Sequence, residues 1–534
     1  MTDCLLIGHN EGNFADQVAF VRSMGCESGA WRDLNLAFAD IDGTPHHCMD
    51  VINRFNNRDG VTRRKYSNMD FLWPAVSYLA SFLVKRGLTV DYVNLFQDEK
   101  TSLADKLQRN DVLTVAVTTT LYVGPWWIEE IVSFVRQHTR KARLIIGGPY
   151  IHNQSVLMTP EQLSDLFEQL GADVYVISQE GEQALVNVVD ALKHRKPLHF
   201  VNNIAFRHKG RFVCTPAMVE SNSLADNPVD YQMFPPEQIG QFVTVRTAKS
   251  CPFGCAFCGF PQRAGKYTYE PVDLVERELD AVGRIGGITT LTFIDDTFNV
   301  PMKRFKEILR MMIRNEYGFK WNSFLRADHV DDECIDLMRD SGCEGVFLGM
   351  ESGSGRMLKL MNKTSRPEHY RRIIPLLRRA GIVTHCNLIV GFPGETDESV
   401  RETIDLIEDV QPDLYRAQLW YCDPTTPVWT RREELGITGS AFSWRHPTMD
   451  STTAATIVES MFREVRGALW LPQQGFELWS VFYLQRQGMS LTQLKTYLRS
   501  FNAAVERKLR AGTETKADVD TVRTLAESSR ILAA

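Results

Sequence analysis

The chain has 534 residues, a length that predicts roughly three to four domains at ~150 residues each. Its 44% hydrophobic and 24% charged residues are an ordinary soluble balance, and its net charge of −6 offers no basic field for nucleic acid, so a nucleic-acid partner is excluded and an anionic substrate needs a local Arg/Lys pocket. No apolar run approaches the ~20 residues of a membrane span. The opening Met1-Thr2-Asp3-Cys4 lacks the basic and apolar parts of a signal peptide, so a cytoplasmic location without membrane attachment is expected.

Residues 1–65 read as an irregular N-terminal extension, with Leu5–Gly8 as a strand end. From 66 to 205, strands alternate with helices. Helical spacing over Pro74–Lys85 precedes a strand at Thr89–Leu95. The pattern continues with Leu103–Arg109 (helix), Val112–Thr118 (strand), Trp126–His138 (helix) and Arg143–Ile146 (strand). It closes with Pro160–Leu170 (helix), Val174–Ile177 (strand) and Glu182–Lys193 (helix). Such alternation predicts a doubly wound, Rossmann-like α/β sheet that binds ligands at the carboxyl ends of its strands. Residues 206–240 read as a linker ending in Pro235-Pro236.

A second alternating series fills 241–430. Its strands are expected at Val243–Thr247, Thr290–Ile294, Lys320–Leu325, Gly345–Met350, Val383–Val390 and Leu414–Tyr421. Helical patterns lie between them, as at Val272–Arg284, Arg304–Arg314 and Pro367–Ala380. Six βα units predict a partial (β/α)6 barrel with its chemistry on the loops after the strands. Beyond 430 the strand signal fades, and 431–534 reads as a mainly helical region.

Eleven cysteines, an odd number, argue against a disulfide framework. Three are bunched in Cys251-Pro-Phe-Gly-Cys255-Ala-Phe-Cys258-Gly259, directly after the first strand of the second series. Thiolates suit iron–sulfur clusters or zinc. A structural zinc site wants four ligands, and no histidine lies between His208 and His329. Three thiolates on a four-iron cube leave one iron open.

The C-x3-C-x-aromatic-C spacing after a first barrel strand resembles the radical S-adenosylmethionine (SAM) enzymes. The resemblance implies a [4Fe–4S] cluster on Cys251, Cys255 and Cys258, whose open iron chelates SAM, and one-electron cleavage of SAM to a 5′-deoxyadenosyl radical. It implies an external reductant of flavodoxin or ferredoxin type. It also assigns SAM contacts at successive strand ends: Phe257 and Gly259 beside the cysteines, Asp295 and Asp296 after the second strand, and Arg326 after the third. Glu351 and Ser352 follow the fourth. Asn387, Ile389 and Gly391 resemble the family's Gly-x-Ile-x-Gly motif, with Asn in place of the first Gly.

The domain at 66–205 resembles the cobalamin-binding domain that precedes the radical domain in one large subclass. Thr118, Thr119 and Thr120, then Gly147, Gly148 and Pro149, then Glu180 and Gly181 carry that resemblance. There is no Asp-x-His-x-x-Gly motif to supply an axial imidazole. Cobalamin with a radical SAM domain implies methyl transfer from methylcobalamin to an unactivated centre. The stretches Asp3–Gly12, Ser28–Leu36 and Trp444–Asp450 resemble the phosphinate P-methyltransferases of phosphinothricin-type biosynthesis. That resemblance implies a hydrogen phosphinate acceptor, free or carried on a peptide or carrier, with Arg32, Arg63, Arg64 and His446 as anion contacts. C-methylation of another substrate, and cyclisation or rearrangement without methyl transfer, remain open alternatives.

Overall fold

The computed structural model describes residues 2–57, 65–109, 111–472, 474–511 and 517–531. Its first sheet has seven strands: β1 (Thr2–His9), β2 (Val90–Leu95), β3 (Val112–Thr118), β4 (Arg143–Gly147), β5 (Val174–Val176), β6 (Ile204–His208) and β7 (Arg211–Cys214). They run in the order β2-β1-β3-β4-β5-β6-β7. The first five are parallel and the last two turn back antiparallel. An order of 2-1-3-4-5 reverses direction between β1 and β3, and such a switch point opens a crevice at the carboxyl ends.

The sheet therefore reaches beyond the expected 66–205 at both ends. Thr2–His9, expected to be mostly irregular, is an interior strand, and β7 comes from the expected linker. The polar Asp3 disguises β1 in the sequence. It is 2% exposed, accepts hydrogen bonds from Thr89 N–H and Oγ1, and pairs with Lys193 at 2.8 Å.

The second sheet also has seven strands. β8 (Phe242–Val245) is followed by a short ribbon, β9 (Ala248–Lys249) with β10 (Thr268–Tyr269). Then come β11 (Thr290–Phe293), β12 (Lys320–Leu325), β13 (Cys343–Glu351), β14 (Val383–Val390) and β15 (Leu414–Leu419). The order β8-β11-β12-β13-β14-β15 is sequential and parallel, the expected six-unit partial barrel. Outer residues such as Trp321, Leu348 and Leu388 are fully buried, Trp321 against Phe298 and Phe305.

The region after 430 is not purely helical. A three-stranded antiparallel sheet, β16 (Thr438–Ser440), β17 (Ser443–His446) and β18 (Met449–Asp450), precedes the helix Ser451–Glu464, whose N-cap is Asp450. A two-residue strand, β19 (Leu469–Trp470), adds to the open edge of the barrel at β15. Among the described residues no helix is long and apolar enough to cross a membrane.

Candidate functional site

The cysteine loop leaves the ribbon at Ser250, a non-glycine residue held at φ +64°. It returns through the helix Phe260–Ala264. Its backbone is pinned from outside the loop. Ala256 N–H donates to Met361 O at 2.8 Å, Val428 N–H to Ala256 O at 2.9 Å, and Asn362 Nδ2 to Gly254 O at 2.6 Å. Cys255 is buried, and Cys251 and Cys258 are half-buried. Burial pushes the Cys258 thiol up to about 11 and raises Cys251, and each feels the neighbouring cysteine charges. Among the described residues no three His, Cys, Asp or Glu side chains are placed around a single ion. The donor set fits a cluster, where each thiolate takes its own iron.

The strand ends surround this loop. Asp295 is buried and accepts from Thr247 N–H at 2.7 Å and Ala248 N–H at 2.9 Å, so it ties β11 to the start of the ribbon. Asp296 is open to water on one side and lies beside Cys251 and Cys258; the protein around it pushes its carboxyl up to about 7. Arg326 contacts Cys255, stacks 3.6 Å over the Phe253 ring and pairs with Asp328 at 3.1 Å. Glu351, at φ +62°, pairs with Lys363 at 3.1 Å, and the Lys363 ammonium sits 6.0 Å from the Phe257 ring centre. Ser352 is fully buried, its hydroxyl 3.2 Å from that of Thr403, a packing position. A side chain at Gly259 would meet Thr425 Oγ1 at 2.8 Å, so this glycine serves internal packing.

Asn387 and Ile389 are half-buried on one face of β14, and Asn387 Oδ1 has no hydrogen-bond partner among the described residues. Gly391 ends the strand at φ +96°. Its N–H donates to Glu395, and its carbonyl accepts from His446 Nε2 at 3.0 Å.

At the edge of the first sheet, Thr119 spends both its N–H and its hydroxyl on Gly147 O, each at 2.9 Å. The hydroxyls of the half-buried Thr118 and Thr120 lie 3.0 Å apart. Gly148, at φ +106°, precedes Pro149 at the start of the helix Pro149–Leu157 and leaves room against Thr119, which a side chain would meet at 3.0 Å. Gly181, at φ +84°, starts the helix Glu182–Lys193. This edge faces the cysteine loop. Glu180 pairs with Lys249 at 3.1 Å, two residues before Cys251, and Gln179 Nε2 donates to Gln262 O at 2.8 Å.

Residues 245–407 match the family model of the radical SAM superfamily, and that span contains the three cysteines and every barrel strand-end residue above. These residues form a radical SAM domain. It is 25% identical over 325 residues to an uncharacterized methyltransferase of Pyrococcus horikoshii, covering 60% of this chain and 68% of that protein. It is 29% identical over 382 residues to the anaerobic magnesium-protoporphyrin IX monomethyl ester cyclase of Cereibacter sphaeroides, covering 67% of this chain and 60% of that one. The chain thus spans about two thirds of the length of these relatives. Among solved structures, it shares the fold of the radical SAM methyltransferase TsrM from Kitasatospora setae, solved with cobalamin and a [4Fe–4S] cluster. The TM-score is 0.59 and the identity 18%, over 99% of both chains.

Two of the expected substrate contacts, Arg32 and His446, are engaged within the fold rather than lining an open anion pocket. Arg32 pairs with Glu459 at 2.9 Å and donates to Thr452 O and Thr456 Oγ1, fastening the helix Gly29–Leu34 to Ser451–Glu464. His446 is 3% exposed and lies flat against Trp444. Its second ring nitrogen is 3.2 Å from the Thr448 hydroxyl, so both nitrogens hold the fold around Gly391. Arg63 and Arg64 lie outside the described residues. The roles of Lys249, Lys363 and Glu395 escape sequence reading, because each is defined by a partner distant in the chain or by burial.

Glu395 carries a pH prediction for the radical SAM domain. Burial pushes its carboxyl from 4.5 up to about 7. A raised acid pKa favours the protonated folded form, so this stability is fully present below about pH 4.5 and is lost as pH rises through about 7. Glu395→Gln keeps an acceptor for Gly391 N–H but cannot ionise. Urea midpoints measured from about pH 5 to 8 should fall less steeply for this variant than for the parent. Parallel slopes would refute the assignment.

Proposed function

We propose that the protein is a cobalamin-dependent radical SAM methyltransferase acting on a small anionic molecule, with the phosphorus of a hydrogen phosphinate as acceptor. The observation that carries this reading is the facing of two sites: the loop Gln179–Gly181 of the first sheet bonds to residues on both sides of the cysteine loop. The methyltransferase relative and the cobalamin-bound fold neighbour support it.

When bound, the cluster and SAM supply a 5′-deoxyadenosyl radical, and cobalamin supplies a methyl group. The residues of this chain hold and orient those groups. Cys251, Cys255 and Cys258 are the cluster ligands. Asp296 and Arg326, both beside the cysteines, orient the methionine amine and carboxylate of SAM. Phe257, Asn387, Ile389 and Gly391 take its adenosine side, and Glu351 its ribose. Thr118, Thr120, Gly148 and the Glu180–Gly181 turn border the cobalamin. An external one-electron carrier of flavodoxin or ferredoxin type supplies electrons.

The cyclase relative favours a second reading, radical cyclisation or rearrangement without methyl transfer. Anaerobic reconstitution with methyl-labelled SAM and a hydrogen phosphinate separates the two. Methyl transfer yields 5′-deoxyadenosine, S-adenosylhomocysteine and label on the acceptor phosphorus. 5′-Deoxyadenosine without S-adenosylhomocysteine supports the second reading. Neither product from a fully loaded, reduced protein refutes both.

A further inference from the structure

The inner surface of the partial barrel follows from strand register, because residues directly opposite one another share a face. Phe347 on β13 lies opposite His385 on β14. One step further along, Gly349, Asn387 and Arg416 form a row across β13, β14 and β15. The alternate residues face outward, as shown by the Tyr415 hydroxyl, which donates to Met461 O of the covering helix. His385 and Arg416 thus face the lumen, deeper than Glu351 and Ile389.

Among the described residues, several polar groups on this inner face lack hydrogen-bond partners. His385 is 0% exposed with neither ring nitrogen hydrogen-bonded, and Arg416 is 5% exposed with an unpaired Nε. Asn322 Nδ2 on β12 and Asn387 Oδ1 are likewise unpaired. The Arg416 contact to Glu477, at the N-cap of the helix Leu478–Arg486, is long at 3.5 Å. Burying a polar group without a hydrogen-bond partner is costly, so unmet groups gathered on one inner face point to a ligand that satisfies them.

We propose that His385 and Arg416 bind a small oxyanion, the phosphinate or carboxylate head of the methyl acceptor. The guanidinium fork matches two oxygens of such a group. The imidazole N–H is a further donor, and the Phe347 ring, 4.7 Å from His385, walls the site. That the anion belongs to the methyl acceptor rests on the function proposed above; the anion site itself rests on the register and the unpaired groups.

The test is calorimetric titration of the reconstituted holoenzyme with dimethylphosphinate and, separately, acetate. The wild type should bind at least one, and the preferred ion identifies the head group as tetrahedral or planar. Arg416→Gln should weaken binding by ten-fold or more. Arg416→Lys, which retains a charge for Glu477, should weaken it less. His385→Phe, with an aromatic ring to pack against Phe347, should weaken it several-fold even if Arg416→Gln proves unstable. Thermal melting identifies variants that have lost their fold. Wild type that binds neither ion, or folded variants that bind as well as wild type, would overturn the proposal. So would full displacement of the anion by SAM, which would make Arg416 a contact for the SAM carboxylate. Formation of 5′-deoxyadenosine by the same wild-type preparation reports separately on the radical chemistry, so the two readings fail independently.

Discussion

Replacing Cys255 with alanine should strip the protein of its cluster and abolish 5′-deoxyadenosine formation, while a bound corrinoid stays in place. A cube with three protein thiolates has no spare ligand. The nearest other cysteines in the sequence, Cys214 and Cys334, belong to other elements: Cys214 ends β7 in the first sheet, and Cys334 is fully buried in the helix Asp332–Asp340. The substitution is small, and the loop keeps its outside anchors at Met361, Asn362 and Val428, so the fold should survive. Iron and sulfide analysis should fall from about four irons per chain toward none. The corrinoid absorption should persist, because the threonine and glycine turns of the first sheet are built from β3, β4 and the turn after β5. Retained SAM cleavage in this variant would remove the cysteine loop from the chemistry.

How legible these features are in the sequence depends on whether the physics is local. All six expected barrel strands form, with ends shifted by a residue or two, because alternating βα units of apolar periodicity are local signals. The cysteine spacing is equally local. β1 is less legible, since its core Leu5-Leu6-Ile7 is brief and preceded by Asp3, whose burial depends on Thr89 and Lys193 far along the chain. β19 has two residues, and only its pairing with β15 makes it a strand. Trp444–Asp450 reads as a turn entering a helix, which Asp450 does cap, but the pairing of β17 with β18 needs tertiary context. His446 looks like an anion contact only until its two partners are known. Conversely, His385 and Arg416 sit inside two of the expected strands without marking a site there, and only register reveals that they share a lumen.

Gly391→Val should be the most damaging single change outside the cluster ligands, acting on stability and SAM binding together. Gly391 has φ +96°, a region that a β-branched residue enters only under strain. A side chain there would lie 2.4 Å from the Trp444 ring and 2.8 Å from Ala454 Cβ. Neither neighbour moves freely: Trp444 donates its Nε1–H to Trp420 O at 2.8 Å and stacks on His446, and Ala454 is fully buried in Ser451–Glu464. Backbone strain of about 1–3 kcal/mol and overpacking of about 1–3 kcal/mol add to roughly 2–6 kcal/mol, a large share of a stability of about 5–15 kcal/mol. Relief must come from shifting the end of β14, the strand that carries Asn387 and Ile389. A lower melting temperature should therefore accompany weaker SAM binding, measured as Kd on the reconstituted protein. Gly391→Ala, with the same φ but no branches, should show the same pair of effects at smaller size. An unchanged melting temperature in Gly391→Val would mean that Trp444 and Ala454 give way at no cost. Lowered stability with an unchanged Kd would separate this strand end from the SAM site.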